Sequence, residues 1–137
     1  MAGKAELTER PVPRSPKETV RARVDAFNTG DADTVAAFYA EDALNHQVAY
    51  APVAGRAAIR AMFETEFRRA KMVCEIENLF QDGDWAILEW ADPLGLRGCE
   101  CFRVEEGLIV FQRGYFDKLS FCRAQGLPLE DALKEGM

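Results

Sequence analysis

The C-terminal half of the chain is a succession of short apolar runs separated by turn residues. The runs are Met72–Phe80, Trp85–Trp90, Cys99–Val104 and Leu108–Phe116. Asp-Gly and Glu-Gly pairs fall between some of them, and glycine accepts the positive φ of a tight hairpin turn without a clash at Cβ. This spacing predicts an antiparallel sheet of consecutive strands. One face of such a sheet has to be covered, so the segment before it must supply the covering layer.

The N-terminal half has the pattern of three helices. The first begins at a capping box formed by Ser15 and Glu18, with proline at the first helical position. A short second helix carries Tyr39 on its apolar side, and a third helix spans residues 56–70. Residues 43–50, between the second and third helices, have the character of a short strand. These helices are the candidates for the layer that covers the sheet.

Length and charge limit the classes of function. The chain has 137 residues, enough for one domain with a substantial core. We predict that domain over residues 15–129, between a flexible N-terminal arm, residues 1–14, and a frayed C-terminal tail, residues 130–137. The formal net charge of −6 argues against a nucleic-acid or membrane partner, because both favour a basic surface.

Cysteine and histidine usage predicts no metal and no cofactor. The four cysteines form no CxxC pair and are interpreted as reduced thiols of a cytoplasmic protein. His46 is the only histidine in the sequence, so no spacing of metal ligands is present. There is also no glycine-rich phosphate loop and no dinucleotide fingerprint.

Five short motifs, in their order and spacing, resemble the nuclear transport factor 2-like superfamily. They are Phe27-Asn28-Thr29-Gly30-Asp31, Phe38-Tyr39-Ala40-Glu41-Asp42-Ala43, Gly55-Arg56-Ala57-Ala58-Ile59, Glu106-Gly107-Leu108-Ile109-Val110 and Tyr115-Phe116-Asp117. The polyketide-cyclase-like, or SnoaL-like, branch is most similar around residues 43–47. The resemblance covers residues 17–129 and implies an α+β cone. In such a cone, three N-terminal helices cover a curved, mainly antiparallel sheet, with a pocket between the two layers.

The chain is also similar to ketosteroid isomerases, and the resemblance can be followed position by position. The second, protonated acid of those enzymes falls on Glu100. Their first-helix tyrosine falls on Arg23, and their general-base aspartate falls on Gln47. The resemblance therefore implies one catalytic acid, Glu100, but neither the tyrosine nor the general base of those enzymes.

Similarity to limonene epoxide hydrolase implies a different set. One aspartate of its Asp-Arg-Asp arrangement falls on Asp92. The arginine falls on Trp90 and the other aspartate on Gly114. Its tyrosine and asparagine, which hold the water, fall on Asn45 and Gln47. Neither reaction is implied as a whole by the resemblance.

Strand alternation gives an independent prediction of the pocket wall. If Asp92 faces inward, Ala86, Leu88 and Trp90 do so too. Glu100 then shares its face with Phe102. On the last strand, the inward set is Leu108, Val110, Gln112, Gly114 and Phe116. The glycine in this set is interpreted as leaving room that enlarges the pocket.

The sharpest functional hypothesis is an acid–base pair of Asp92 and Glu100. Two carboxyl groups in one apolar cavity repel each other, so one of them stays protonated. His46 is a further candidate proton carrier, although it alternates away from Asn45 and Gln47. Asn45, Gln47 and Gln112 are expected to orient a ligand. Trp90, Phe102 and Phe116 either contact that ligand or belong to the core.

The predicted function is that of a cytoplasmic pocket protein for a small apolar organic ligand. As a cofactor-free acid–base enzyme it would be of the isomerase, cyclase, dehydratase or epoxide hydrolase type. Two alternatives stay open: a binder without catalysis, in which the acids form exposed salt bridges and the cavity only holds a ligand, and a protein-interaction module. For Asp92, which precedes Pro93 at a turn, a solvated turn acid is the alternative to a catalytic role. The outer sheet face is rich in aromatic residues, including Phe111 and Tyr115, and this favours a homodimer.

Overall fold

The computed structural model describes residues 12–133, which form four α-helices and one six-stranded sheet. The helices are α1 Pro16–Phe27, α2 Ala32–Ala36, α3 Arg56–Arg69 and α4 Lys118–Gln125, followed by a 3-10 helix, Leu129–Leu133. The strands are β1 Tyr39–Gln47, β2 Val53–Ala54, β3 Glu75–Asp82, β4 Trp85–Ala91, β5 Arg97–Glu105 and β6 Leu108–Tyr115. The predicted α+β architecture is confirmed.

The sheet order is β2-β1-β6-β5-β4-β3. The four strands from β3 to β6 form the predicted antiparallel meander. β1 adds to it by running parallel to β6, and β2 pairs antiparallel with β1. A parallel neighbour needs a long crossover, and here β2, α3 and strands β3 to β5 lie between the two strands along the chain.

Helix α1 begins as the capping residues predict. The hydroxyl of Ser15 accepts the backbone N–H of Glu18 at 3.1 Å, and the Glu18 carboxylate accepts the backbone N–H of Ser15 at 2.9 Å. Both N–H groups would otherwise lack a partner at the helix start. The buried face of α1 includes Val20 and Val24, which pack into the core cluster between the helices and the sheet.

The second helix is shorter than its apolar spacing predicts. It ends at Ala36, and Tyr39 begins strand β1, opposite Ile109 of β6. The backbone N–H of Ile109 donates to the carbonyl of Phe38 at 2.8 Å. This long-range pairing outweighs the local helical pattern, and it places the Tyr39 side chain in the core.

A β-bulge corrects the predicted phase of β6. Arg103 lies opposite Phe111, but the next residue, Val104, lies opposite Ile109. One extra residue of β6 is accommodated there, so the alternation slips. Ile109 is fully buried and Leu108 is exposed, so the predicted inward orientation of Leu108 is wrong.

The flanking segments fall only partly within the described residues. Residues 1–11 of the predicted arm and residues 134–137 of the predicted tail lie outside them. Arg14 places its guanidinium over the Phe38 ring, 5.6 Å from the centroid. The 3-10 helix Leu129–Leu133 extends into the segment predicted to fray, residues 130–137. No helix within residues 12–133 combines the length and apolar character that a membrane crossing requires.

One side chain ties the end of α1 to the start of the meander. Asn28 donates from Nδ2 to the carbonyl of Cys74 at 2.9 Å, and its Oδ1 accepts the backbone N–H of Cys74 at 2.8 Å. Asn28→Ala removes both bonds, and we expect the free energy of unfolding in urea to fall by about 1–3 kcal/mol. The matched control is Asn78→Ala, since the exposed Asn78 bonds only to the Glu89 carboxylate among the described residues. Equal losses in the two variants would contradict this prediction.

Candidate functional site

A cavity of about 130 Å³ lies between the sheet and helices α1 and α3. Its wall includes seven of the predicted site residues: Asn45, Gln47, Trp90, Asp92, Glu100, Gln112 and Phe116. The rest of the wall is mostly apolar and includes Phe27, Met62, Phe63, Met72, Val73, Cys74, Leu88, Leu96 and Phe121. A cavity of roughly this size is known to hold a benzene ring.

The register of three strands assembles the polar part of the wall. Glu100 of β5, Gly114 of β6 and Gln47 of β1 lie side by side across the sheet. In the adjacent row, Gln112 of β6 lies beside Asn45 of β1. The strands are central, so these side chains are positioned by ladders on both sides of β6.

The carboxyl group of Glu100 is the buried acid of the cavity, and only 6% of the residue is exposed. Its Oε1 accepts N–H bonds from Gln47 at 2.9 Å and from Gln112 at 2.7 Å. Both amides donate to the same oxygen, so Oε2 accepts neither of them. Burial raises the pKa of Glu100, and the two amides, the charge of Arg23 and the Trp90 side chain oppose this rise without cancelling it.

A hydrogen-bonded chain leads from α1 to this carboxyl group. Arg23 donates from Nε to the Tyr39 hydroxyl at 3.1 Å, and that hydroxyl donates to Oε1 of Gln112. Because the oxygen of the Gln112 amide is occupied by Tyr39, its nitrogen is directed at Glu100. Tyr39 and Gln112 therefore position the acid.

Arg23 and Tyr39 were not predicted as site residues. Arg23 occupies an apolar-face position of α1, between Val20 and Val24, and this charged residue in a buried stripe was the available sign. No comparable sequence signal marked Tyr39 as a site residue, because its helical spacing suggested an ordinary core position.

Gly114 provides the space for the acid. A Cβ atom at this position would lie 2.3 Å from both carboxylate oxygens of Glu100 and 2.1 Å from Oε1 of Gln47. These separations are far below van der Waals contact. The missing side chain therefore makes room for Glu100 and Gln47, and this corrects the interpretation that it enlarges the cavity.

Asp92 lies in the cavity wall and also supports a turn. Its Oδ1 accepts the backbone N–H groups of Leu94 and Leu96, both at 2.9 Å. Asp92 and Glu100 thus line one cavity, as the acid–base hypothesis requires, but one oxygen of Asp92 is used by the turn. The residue is half-buried.

The structure does not bring His46 or Phe102 to the cavity surface. His46 lies opposite Arg113 on β6, and strand alternation turns it away from the face that carries Asn45 and Gln47. Phe102 is fully buried in the core, where the Arg23 guanidinium lies 5.3 Å from its ring centroid. Neither residue is in the position that contact with a ligand would need.

The opposite end of the cavity carries polar groups that sequence reasoning missed. Glu66 of α3 lines the cavity together with Tyr50, and it accepts a bond from Arg69 at 2.7 Å. The Arg69 side chain is largely buried and lies over the Phe121 ring. Cys74 also lines the cavity, and burial raises the pKa of its thiol to about 11, so it stays protonated at neutral pH.

The raised pKa of Glu100 predicts a pH-dependent stability difference. The folded protein holds this proton more tightly than the unfolded chain, whose carboxyl titrates near the ordinary value of 4.5. The stability that this group contributes is present below that pH and is lost as the pH rises through the folded-state pKa. We therefore expect Glu100→Gln to become progressively more stable than the wild type as the pH increases from about 4 to 8. Urea unfolding at several pH values checks this, and a difference that stays constant with pH would contradict it.

Similar solved structures share the fold. A ketosteroid isomerase-like protein from Catenulispora acidiphila, solved with trimethylamine, matches with a TM-score of 0.76 and 19% identity over 85% of this chain and 98% of that chain. An epoxide hydrolase of M. tuberculosis, of the LEH-like type, matches with a TM-score of 0.70 and 23% identity over 84% and 92%. SalBIII, an epoxide hydrolase/cyclase-like enzyme of pyran ring formation in salinomycin, matches with a TM-score of 0.65 and 26% identity over 74% and 89%.

Comparison by sequence identifies the family. A search of curated protein sequences finds no match. The SnoaL-like domain profile, in contrast, matches residues 20–112, which is well over half of the chain and includes most of α1, strands β1 to β5 and the first part of β6. The protein therefore belongs to the SnoaL-like domain family and has the nuclear transport factor 2-like cone fold.

Proposed function

We propose that this protein is a cofactor-free acid–base enzyme that acts on a small, largely apolar organic compound containing oxygen. The observation that carries the proposal is the Glu100 carboxyl group, which is buried in an apolar cavity and held at one oxygen by two amides. Burial raises its pKa toward the range in which a carboxylic acid can donate a proton near neutral pH.

Glu100 acts as the general acid in this proposal. Its Oε2 donates a proton to a carbonyl, epoxide or hydroxyl oxygen of the substrate. The N–H groups of Gln47 and Gln112 already point at Oε1, so they stabilise the carboxylate that remains. In an isomerisation, Asp92 at the cavity wall accepts the proton from the substrate carbon while Glu100 protonates the oxygen, which gives an enol. Asp92 then returns its proton to another carbon and the Glu100 carboxylate takes back the proton of the enol oxygen, so both groups are regenerated.

The remaining polar residues have supporting roles. Asn45 accepts a bond from Gln47 at 3.1 Å and so holds the amide that contacts the acid. Trp90 and Phe116 provide apolar wall on which the substrate packs. Solved proteins named as an epoxide hydrolase and as an epoxide hydrolase/cyclase-like enzyme share this fold, which supports the choice of reaction class.

Proton exchange tests the proposal without knowledge of the natural substrate. Small cyclic ketones are incubated with the protein in D₂O, and the loss of α-proton signal is followed by NMR between about pH 4 and 8. We expect exchange faster than in buffer, with a rate that follows the ionisation of a carboxyl group. No acceleration, or a rate without pH dependence, would overturn the acid–base proposal.

One observation favours a non-catalytic binder as the second candidate. The Oδ1 atom of Asp92 accepts two backbone N–H groups of its own turn, so the base of the proposed pair is partly engaged. A binder would take up a cyclic ketone without exchanging its protons. Binding without exchange in the same samples would therefore select this alternative.

We also propose that the protein is a cytoplasmic homodimer that associates through the outer sheet face. Trp85 and Tyr115 are partly exposed on the sheet, and Trp85 packs edge-on against Phe111 with ring centroids 5.9 Å apart. All four cysteines are unpaired, which supports a reducing compartment. Light scattering after size-exclusion chromatography is expected to give twice the chain mass, and Tyr115→Glu is expected to give the monomer.

A further inference from the structure

We propose that Arg23 is the binding point for an anionic oxygen group, so that the cavity prefers small monocyclic carboxylates or enolates to neutral molecules of the same shape. This inference concerns the same cavity as the proposed function and rests on it for the location of the ligand. It names the chemical class of that ligand.

The first observation is the environment of the guanidinium. Arg23 is 95% buried, since only 5% of the residue is exposed, and it lines the cavity. Within residues 12–133 its only hydrogen bond is the one from Nε to the Tyr39 hydroxyl. No hydrogen bond from either terminal nitrogen of Arg23 is made within this range, and the residue is part of the cavity wall.

The second observation is the aromatic surround. The Arg23 guanidinium carbon lies 5.1 Å from the Phe27 ring centroid, 5.6 Å from that of Phe63 and 5.3 Å from that of Phe102. Aromatic rings offer no hydrogen-bond acceptor to the N–H groups of a guanidinium. The two terminal nitrogens of a guanidinium form a planar fork that can donate to both oxygens of a carboxylate.

The third observation is the charge. Among the described residues, Arg23 forms no ion pair with a carboxylate. Glu100, the acid that shares the cavity, is hydrogen-bonded to Gln47 and Gln112 instead. Glu100 therefore acts on Arg23 only through its charge and without a direct contact. An anionic ligand bound directly at the terminal N–H groups would further offset the cost of burying this cation.

The size of the cavity limits the rest of the ligand. About 130 Å³ suits a single six-membered ring with a small substituent. Benzoate and benzamide are therefore suitable probes, because they have the same shape and differ in the charge of the group that would meet Arg23.

The test measures binding of the two probes by tryptophan fluorescence. The sequence has Trp85 and Trp90, so Trp85→Phe leaves Trp90 in the cavity wall as the reporter. In this background we expect benzoate to bind at least about tenfold more tightly than benzamide. Arg23→Met is expected to remove that preference, so that the two probes bind with similar affinities. Arg21→Met, at an exposed position of the same helix, is the matched control and is expected to keep the preference.

Several outcomes would overturn the inference. They are equal affinities for the two probes in the Trp85→Phe protein, no binding of either probe, and a benzoate preference that survives Arg23→Met. Arg23→Lys retains the charge and is expected to keep part of the preference, so it replaces Arg23→Met if that variant does not fold. The readout needs no turnover. If the protein does not catalyse ketone exchange, the benzoate preference can still be interpreted. If the benzoate preference is absent, the result of the ketone-exchange experiment is unaffected.

Discussion

Glu100→Gln is expected to lower the rate of protein-catalysed proton exchange by at least about 100-fold, the usual contribution of a general acid or base. Glutamine keeps the shape of glutamate, and its carbonyl oxygen can still accept the N–H bonds of Gln47 and Gln112. It has no acidic proton to donate. The loss should therefore occur in a folded protein, and ketone exchange followed by NMR measures it.

Two further variants make this result specific. Glu75→Gln changes an exposed glutamate on β3 and is expected to keep the wild-type rate. Glu100→Asp keeps the carboxyl group but shortens the side chain by one methylene, which withdraws it from the two amides, so an intermediate rate is expected. Wild-type exchange in Glu100→Gln would remove Glu100 from the reaction.

Gly114→Ala is expected to lower the exchange rate by about 100-fold, the effect of displacing a catalytic group by roughly 1 Å. The added methyl group would occupy the space of the Glu100 carboxyl group and of the Gln47 side-chain oxygen. Both side chains must move, and the bonds to Oε1 are then lost. Overpacking of this kind also costs about 1–3 kcal/mol of stability.

The double variant of Gly114→Ala and Glu100→Gln distinguishes displacement of the Glu100 carboxyl group from general destabilisation of the protein. If Gly114→Ala acts by moving Glu100, it should have little further effect on the rate in a Glu100→Gln background. Exchange rates of the two single variants and the double variant provide this comparison. Independent, additive rate losses would contradict the proposed role of Gly114, and so would a Gly114→Ala protein with the wild-type rate and pH profile.

Strand alternation was sufficient to predict the polar residues that β5 and β6 contribute to the cavity wall. Glu100 and Gln112 lie on the inner face because they share a strand phase with buried apolar neighbours, and this phase is a local property of the sequence. The same rule excluded His46 from the face of Asn45 and Gln47, and the structure has it so. The rule failed at Leu108, because the bulge between β5 and β6 depends on the pairing of two strands and not on either strand alone.

Strand alternation could not predict the hydrogen-bonded chain that leads from Arg23 of α1 to Glu100. Tyr39 joins the network because β1 pairs with β6, a parallel contact between segments about 70 residues apart. Helical spacing around Tyr39 is a weaker, local preference that this pairing overrides. Arg23 was visible as a charge in an apolar stripe, but only the packing of α1 on the sheet reveals which groups it meets.

The orientation of the Gln112 side-chain amide links the contacts of Arg23 in α1 to the proton affinity of Glu100. Tyr39 fixes the amide in one of its two orientations, and only that orientation presents N–H to Glu100. If the Arg23–Tyr39 contact were rearranged by a bound anion, the amide would be free to rotate and to offer its oxygen instead. A hydrogen-bond acceptor facing the carboxyl group favours the neutral acid. Binding of an anion at Arg23 would therefore raise the proton affinity of Glu100 through the rotation of a single side-chain amide.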